Sequence, residues 1–182
     1  DVITIGNDAI QVKSSKIKYS MQNLIGIKNE PHMAAVKDYL QRIEFQLSRV
    51  DFGNGNVENL RTSWTDLSRG LMKDADFGLQ LVKNVTDLDP LVAEALRLNE
   101  PKERIKLIYN TIRSSMRCYD NEAIYADAGV SDSWKKKEGN IADISLLLIN
   151  ILRKAGIRAN PILLSTRDNG LINATFPFLN QF

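Results

Sequence analysis

The longest apolar stretch of the chain lies between residues 139 and 157, and its apolar side chains have helical spacing. They recur every three to four residues, and additional ones widen the apolar face until only a narrow polar strip remains. The residues are Ile144, Leu146, Leu147, Leu148, Ile149, Ile151, Leu152 and Ala155. The pattern predicts a helix that is buried on most of its sides, and we expect the rest of the domain to pack around it.

Both ends of this predicted helix carry termination signals. Asn140 can accept a backbone N–H as the N-cap, and Asp143 places a carboxylate at the positive end of the helix. Gly156 is suited to the left-handed conformation that ends a helix. Residues 157–165 then predict a strand, in which Pro161 indicates a sheet edge or an irregularity because proline lacks a backbone N–H.

The N-terminal part of the chain has a different period. In residues 16–21 and again in 42–48, apolar and polar side chains alternate, which predicts strands with one buried face. Turn-forming residues at 51–56 follow, and we place a boundary there. The prediction is a β-rich segment over residues 1–52 and a second unit over residues 53–182.

After that boundary the spacing becomes helical. An apolar stripe over residues 60–71 predicts one helix, and residues 74–84 favour helix weakly over strand. Proline near the first helical position marks two further helices, at 89–98 and 99–116. A tight-turn signal at 167–170 predicts a hairpin near the end of the chain. The fold class is therefore α+β and mainly helical.

The run Gly139-Asn140-Ile141-Ala142-Asp143, followed by the Leu-rich helix, Arg-Lys-Ala-Gly-Ile and a hydrophobic strand, resembles the core motif of the transglutaminase-like superfamily, which has a papain-like cysteine protease fold. In that family the nucleophilic cysteine stands where this chain has Ile141. A thiol belongs there because the first turn of a helix lowers its pKa and can stabilise an oxyanion. An isoleucine has nothing to ionise.

The resemblance covers about residues 59–182, and more weakly residues 1–52, which are similar to the end of a preceding β-sandwich domain. The family also uses a His on a later strand, and we expect the sequence to stop before it, so that the core is incomplete. The resemblance implies a bacterial, exported, multidomain protein. It also implies that the strand at 157–165 lacks its usual partners, so we expect a homodimer through that edge.

Two functions stay open. One is a catalytically degenerate scaffold or a binding module for a protein or peptide, which fits Ile141 and makes the chain no enzyme. The other is amide acyl transfer by a thiol, as in a cysteine protease or a transglutaminase, with the catalytic residues supplied elsewhere.

Trp134 either shields the cleft at the helix start or anchors a long loop. Cys118 follows a helix instead of starting one, and His32 reads as a loop residue.

The composition of the chain limits which partners, metal sites and membrane segments can be expected. The chain has 24 basic and 22 acidic residues, and a net charge of +2 gives no reason to expect a nucleic-acid partner. The basic run Lys135-Lys136-Lys137 reads as a solvated loop. One cysteine excludes an internal disulfide and a cysteine-rich zinc cluster, and we expect neither metal nor cofactor. No apolar run approaches the roughly 20 residues that span a bilayer.

Overall fold

The computed structural model describes residues 2–5, 8–11, 16–28, 30–45, 47, 49–52, 55–59, 63–175 and 177–182. Within them the protein is mixed α and β and mainly helical, as the sequence predicts. The helices are α1 (Trp64–Lys73), α2 (Asp89–Arg97), α3 (Pro101–Ser115), α4 (Val130–Lys136) and α5 (Ile141–Lys154). The strands are β1 (Val2–Ile5), β2 (Asp8–Gln11), β3 (Arg49–Asp51), β4 (Val57–Asn59), β5 (Arg117–Asp120) and β6 (Glu138–Asn140).

In the described residues, the six strands form three separate pairs. In the antiparallel pair β1 and β2, Val2 lies opposite Gln11, and in the antiparallel pair β3 and β4, Val50 lies opposite Glu58. The third pair, β5 and β6, is parallel, with an irregularity in register between Cys118 and Asp120. Because β6 runs directly into α5, this parallel pair fixes where the central helix starts.

Helix α5 is the central element, as its apolar pattern predicts. It packs against α3, against α4 and against a short 3-10 helix at Gly78–Val82. Leu147 and Ile151 are fully buried in the middle of the helix. At its C-terminus Gly156 has a φ of +78°, and the N–H of Ile157 donates to the carbonyl of Leu152 at 2.9 Å. The predicted glycine stop is therefore confirmed.

The earlier helices follow their sequence signals with one exception. Ser63 and Asp66 form a capping box at the start of α1, and α2 and α3 each have proline in the first turn. Leu60, which begins the predicted stripe, lies outside the described residues. The prediction of helix over 74–84 is wrong as an α-helix, because only the five-residue 3-10 helix forms there. Phe77 and Leu81 anchor it in the core, and this tertiary packing decides the local conformation.

The predicted strands at 16–21 and 42–48 are not formed in the described residues of these segments. Ile17 is 69% exposed and Phe45 is 70% exposed, so the alternating side chains have no core on either face. The aromatic rings of Tyr19 and Phe45 do meet edge to face, with centroids 5.1 Å apart. A strand needs a partner and a buried face, and alternation alone supplies neither.

The turn signal at 51–56 lies within a hairpin, because β3 precedes it and β4 follows it. The N–H of Phe52 donates to the carbonyl of Asn56 at 3.0 Å, while residues 53 and 54 lie outside the described part of the chain. Strand pairing thus continues across the position chosen for the boundary. The division into units 1–52 and 53–182 stays a prediction.

The predicted strand at 157–165 is not paired with any strand in the described part of the chain. The segment is nevertheless extended in its burial pattern, since odd-numbered residues face the protein and even-numbered residues face outward. Ile157, Ala159 and Leu163 pack against the core, whereas Ile162 is 78% exposed and Leu164 is 76% exposed. The prediction of a strand is therefore wrong for the described residues: the segment has the alternating burial of a strand, but it lacks the partner that a ladder of hydrogen bonds needs.

The end of the chain is also irregular. A turn forms at 167–169, as predicted, and Gly170 adopts a φ of +78°. No strand follows it among the described residues, so the predicted hairpin is not formed. The last regular element is a 3-10 turn at Leu179–Gln181. In the described residues no helix is long and apolar enough to cross a bilayer.

Candidate functional site

The junction of β6 and α5 is built by a reciprocal pair of hydrogen bonds. The N–H of Asp143 donates to Oδ1 of Asn140 at 2.8 Å, and the N–H of Asn140 donates to Oδ2 of Asp143 at 3.1 Å. This is a capping box, and it satisfies two backbone donors that the helix start would otherwise leave unpaired. Gly139 lies so close that a Cβ atom there would be 2.7 Å from Cβ of Asp143. Only glycine fits at that point.

Asp143 is fully buried, and its carboxylate reaches beyond its own helix. It accepts the N–H of Gly129 at 2.8 Å and that of Ala128 at 3.5 Å, in addition to the N–H of Asn140. Backbone donors from two segments therefore solvate this carboxylate in place of water. The residue that was expected only to complement the helix dipole also holds the start of α4 against α5.

Asn140 has a second role of the same kind. Its side-chain Nδ2 donates to the carbonyl of Tyr125 at 2.8 Å, and the residue is almost fully buried. The two residues that flank Ile141 in the motif thus fasten the connection between β5 and α4 to the helix start. Both of these residues stabilise the architecture of the site.

A cavity of about 650 Å³ lies along the first turns of α5. The helix contributes Ile141, Ala142, Ser145, Leu146 and Ile149 to its wall. The remaining wall comes from the residues after β5, from the segment that follows α5, and from two aromatic side chains. These are Asn121, Glu122, Ala123, Ile124, Pro161, Ile162, Leu163, Leu164, Thr166, Asp168, Asn169, Phe77 and Phe182. The volume is in the range of small-ligand sites.

Ile141 is the first residue of α5, is 37% exposed, and lines this cavity. It therefore stands where a helix start meets a cavity, as the resemblance implies for the nucleophile position. An alkyl side chain can neither attack a carbonyl carbon nor exchange a proton. Among the described residues that line the cavity there is neither a thiol nor an imidazole, so the wall can supply carboxylates and hydroxyls but no thiol chemistry.

Trp134 lies on α4, is 8% exposed, and belongs to the hydrophobic core. It is not among the residues that line the cavity. The ammonium group of Lys137 lies 3.0 Å from the centroid of the indole ring, which is a cation–π contact. Partial burial of its ammonium group lowers the pKa of Lys137.

The Lys135-Lys136-Lys137 run is exposed as predicted, but it ends a helix and does not form a loop.

Cys118 and His32 both lie outside the cavity wall. Cys118 is exposed on β5, opposite Gly139 in the parallel pair, and its thiol donates to the carbonyl of Asp120 at 3.1 Å. His32 has a φ of +68° in an exposed loop, where its carbonyl accepts a hydrogen bond from Arg167 at 2.7 Å. In the described residues no group of three or more His, Cys, Asp or Glu side chains could hold a metal ion.

Two buried amides that the sequence analysis missed complete the polar interior. Nδ2 of Asn150 donates to the carbonyls of Gln80 and Lys83, both at 2.8 Å, while its Oδ1 is buried without a partner in the described part of the chain. Oε1 of Gln80 accepts the N–H of Val130 at 3.0 Å. These bonds tie α5, the 3-10 helix and α4 together. The available signal was a single asparagine inside the apolar run of α5.

Comparison with known proteins gives one match. Residues 91–175, from α2 to a point beyond the turn at 167–169, match the family model of the transglutaminase-like superfamily. No curated protein and no solved structure matches the chain. The matched segment contains the parallel strand pair, the capping box, α5 and Ile141. These residues therefore form a transglutaminase-like domain, and the mixed α and β, mainly helical fold is consistent with a partial core of that superfamily.

Proposed function

We propose that this chain carries a catalytically degenerate transglutaminase-like domain that acts as a binding module or scaffold for a protein or peptide. The observation that supports this proposal best is Ile141, an alkyl side chain at the first position of α5 and on the wall of the cavity. Acyl transfer by a thiol needs a nucleophile within reach of a base. Binding needs only the shape and the chemistry of the wall.

The cavity wall is suited to holding part of a protein or peptide. Ile141, Leu146 and Ile149 give an apolar face on α5, and Asn121 and Asn169 bring amide groups that can bond with a peptide backbone. A bound segment would place an apolar side chain against α5 and its backbone near the amides. The family resemblance supports a setting in a larger exported bacterial protein, which cell fractionation of the source organism would test.

Activity measurements provide the direct test. We expect no hydrolysis of a quenched peptide, and no incorporation of an amine into a glutamine substrate. We also expect Ile141→Cys alone to remain inactive, because no imidazole lines the described wall of the cavity. Turnover by the unmodified chain that is lost in Cys118→Ala would contradict the proposal. It would favour the alternative, amide acyl transfer by a thiol with other catalytic residues supplied elsewhere.

Binding in the cavity can be measured with an uncharged apolar fluorophore, N-phenyl-1-naphthylamine. We expect Ile141→Arg to weaken its binding by roughly tenfold or more, because a guanidinium would have to lose water inside an apolar wall. Val82→Arg is the matched control, since Val82 is exposed and does not line the cavity. Equal affinity in the unmodified chain and in both variants would show that the fluorophore binds elsewhere and that the cavity is not the binding surface.

A further inference from the structure

The wall of the cavity includes a turn that follows the extended segment 157–165. Thr166, Asp168 and Asn169 of this turn line the cavity. The N–H groups of Asn169 and Gly170 both donate to the carbonyl of Thr166 at 3.1 Å, so the turn is closed by its own backbone. A rigid turn moves as one piece, and whatever holds it sets the shape of this side of the cavity.

A segment more than 130 positions earlier in the sequence holds the turn. We name residues 32–38 the strap. The carboxylate of Asp38 accepts the N–H of Leu171 with both oxygens, at 2.9 and 3.1 Å, and Nζ of Lys37 donates to Oδ1 of Asn169 at 2.8 Å. In the other direction, Nη2 of Arg167 donates to the carbonyls of His32 and Met33 at 2.7 and 3.2 Å. Every one of these bonds involves a charged group.

The fit between the strap and the turn is close. A Cβ atom on Gly170 would lie 2.5 Å from Oδ1 of Asp38 and 2.7 Å from Cε of Lys37, and the φ of this glycine is +78°. Both the conformation and the approach of the strap therefore require glycine at this position. Ala35, in the middle of the strap, is buried although most of its neighbours in the described residues 16–52 are exposed.

The strap is held differently from the core of the domain. Its bonds to the turn are made by charged side chains near the surface, which exchange readily with water and are weakened by salt. The start of α5, which also lines the cavity, is held by buried hydrogen bonds of Asn140 and Asp143. The α5 side of the cavity is thus held by buried bonds and the turn side by charged groups near the surface, which are the kind that open more readily.

From this geometry we propose that the strap is a releasable clasp: when bound, it keeps the 166–171 turn against the cavity, and when released it lets that wall open and admits a larger ligand. The idea that the strap regulates access to the cavity rests on the proposed function, because it assumes that the cavity binds a ligand. A partner that engages residues 32–38 would then change the affinity of the cavity without touching it.

Amide hydrogen exchange in the full chain tests the attachment. We expect Asp38→Ala to accelerate exchange of the Leu171 N–H by about tenfold or more, because that amide loses its acceptor. Lys37→Met should give a smaller acceleration at Asn169 and Gly170. Glu30→Ala is the matched control, since the Glu30 carboxylate is exposed and forms no hydrogen bond or ion pair in the described part of the chain. Unchanged exchange at Leu171 in Asp38→Ala would overturn the proposal.

Access to the cavity is measured separately, with Ile141→Cys as a thiol reporter in a Cys118→Ser background. We expect Asp38→Ala to speed labelling by a bulky uncharged maleimide by about threefold or more, with no effect of Glu30→Ala. Faster exchange without faster labelling would show that the strap does not control access. If the strap variants change nothing while Ile141→Arg still weakens fluorophore binding, the strap is overturned and the proposed function stands. If instead the strap variants speed exchange and labelling while Ile141→Arg does not weaken fluorophore binding, the strap proposal stands and the proposed binding function is contradicted.

Discussion

At the start of α5, neighbouring residues divide the tasks of support and contact. Asn140 and Asp143 are buried and bond to each other and to the backbone of residues 125–129. Ile141, between them, is turned to the cavity. The support is therefore complete without any contribution from the Ile141 side chain. A change at this position alters what the cavity offers a ligand while leaving the capping box in place.

Tyr119 on β5 provides a prediction about pH. Its hydroxyl donates to Oδ2 of Asp127 at 2.8 Å, and this bond to a carboxylate, together with burial, raises the pKa of Tyr119 to about 12. The usual tyrosine pKa is about 10. The bond is thus fully present below about pH 10 and is lost as the pH rises through about 12. We expect the phenolate absorbance that disappears in Tyr119→Phe to titrate with a midpoint near 12.

The matched variant for this measurement is Asp127→Asn, which keeps an acceptor but removes its charge. We expect the midpoint of Tyr119 to fall towards its usual value in that variant. A midpoint near 10 in the unmodified chain would mean that the hydroxyl is not bonded to Asp127 in solution. The loop that carries Asp127, and that also supplies the N–H of Gly129 to Asp143, would then be less ordered than described.

Single residues also show which features a sequence can predict. Asn140, Asp143 and Gly156 act within one turn of their own positions, so their roles at the helix ends follow from local rules. Asn150 and Gln80 are 70 positions apart and meet only in the folded chain. No local rule pairs them. The position of Ile141 came from a family motif, whereas the cavity beside it depends on distant segments.

At the scale of elements, α5 is the helix whose packing the domain depends on most. Leu147 is fully buried in the core and has no accessible surface. We expect Leu147→Ala to lower the free energy of unfolding by about 2–5 kcal/mol, because it removes buried methyl groups and leaves a cavity that neighbouring helices cannot fill. Urea denaturation followed by circular dichroism measures this loss.

Leu148 is the matched control on the same helix, since it is only partly buried. Leu148→Ala changes the same chemical groups and has the same effect on helix propensity, so the difference between the two variants reports burial. We expect the loss to be clearly smaller than for Leu147→Ala. Equal losses, or a loss under about 1 kcal/mol for Leu147→Ala, would place the core away from α5.

The elements also differ in how far the sequence could predict them. Helices α1, α2, α3 and α5 carry their own hydrogen bonds, and a capping box or a proline in the first turn marks each start, so they form close to where the pattern places them. The segments 16–21, 42–48 and 157–165 have strand-like alternation, but a strand requires a second one to pair with, and that partner is not specified by its own residues. Tertiary packing likewise reduced the weakly predicted helix at 74–84 to a single 3-10 turn.

At the scale of the whole molecule, the extended segment 157–165 leads us to expect self-association. The exposed side chains of Ile162 and Leu164 point away from the core, and the N–H groups of these two residues donate to no acceptor in the described part of the chain. A second copy can supply both an apolar face and hydrogen bonds along this edge. We expect a homodimer that strengthens with concentration in multi-angle light scattering.

The double substitution of Ile162→Lys with Leu164→Lys should abolish this association, because two charges would face each other across the edge. The control is the pair Leu79→Lys with Val82→Lys, which places the same charges on another exposed apolar site. A chain that stays monomeric at high concentration, with the amides of Ile162 and Leu164 protected from hydrogen exchange, would show that the edge is covered within one molecule.

Gly139 has a consequence for how the family is recognised. Because a side chain at this position would collide with Asp143 and crowd Ser133, the Gly-Asn pair reflects a steric fit between a strand and the helix that follows it. Asn140 and Asp143 close that junction through their reciprocal hydrogen bonds. A motif built from these positions identifies the junction of β6 and α5, and it does not depend on which residue stands at position 141. Similarity to the superfamily can therefore be recognised from this junction, whichever side chain stands at position 141.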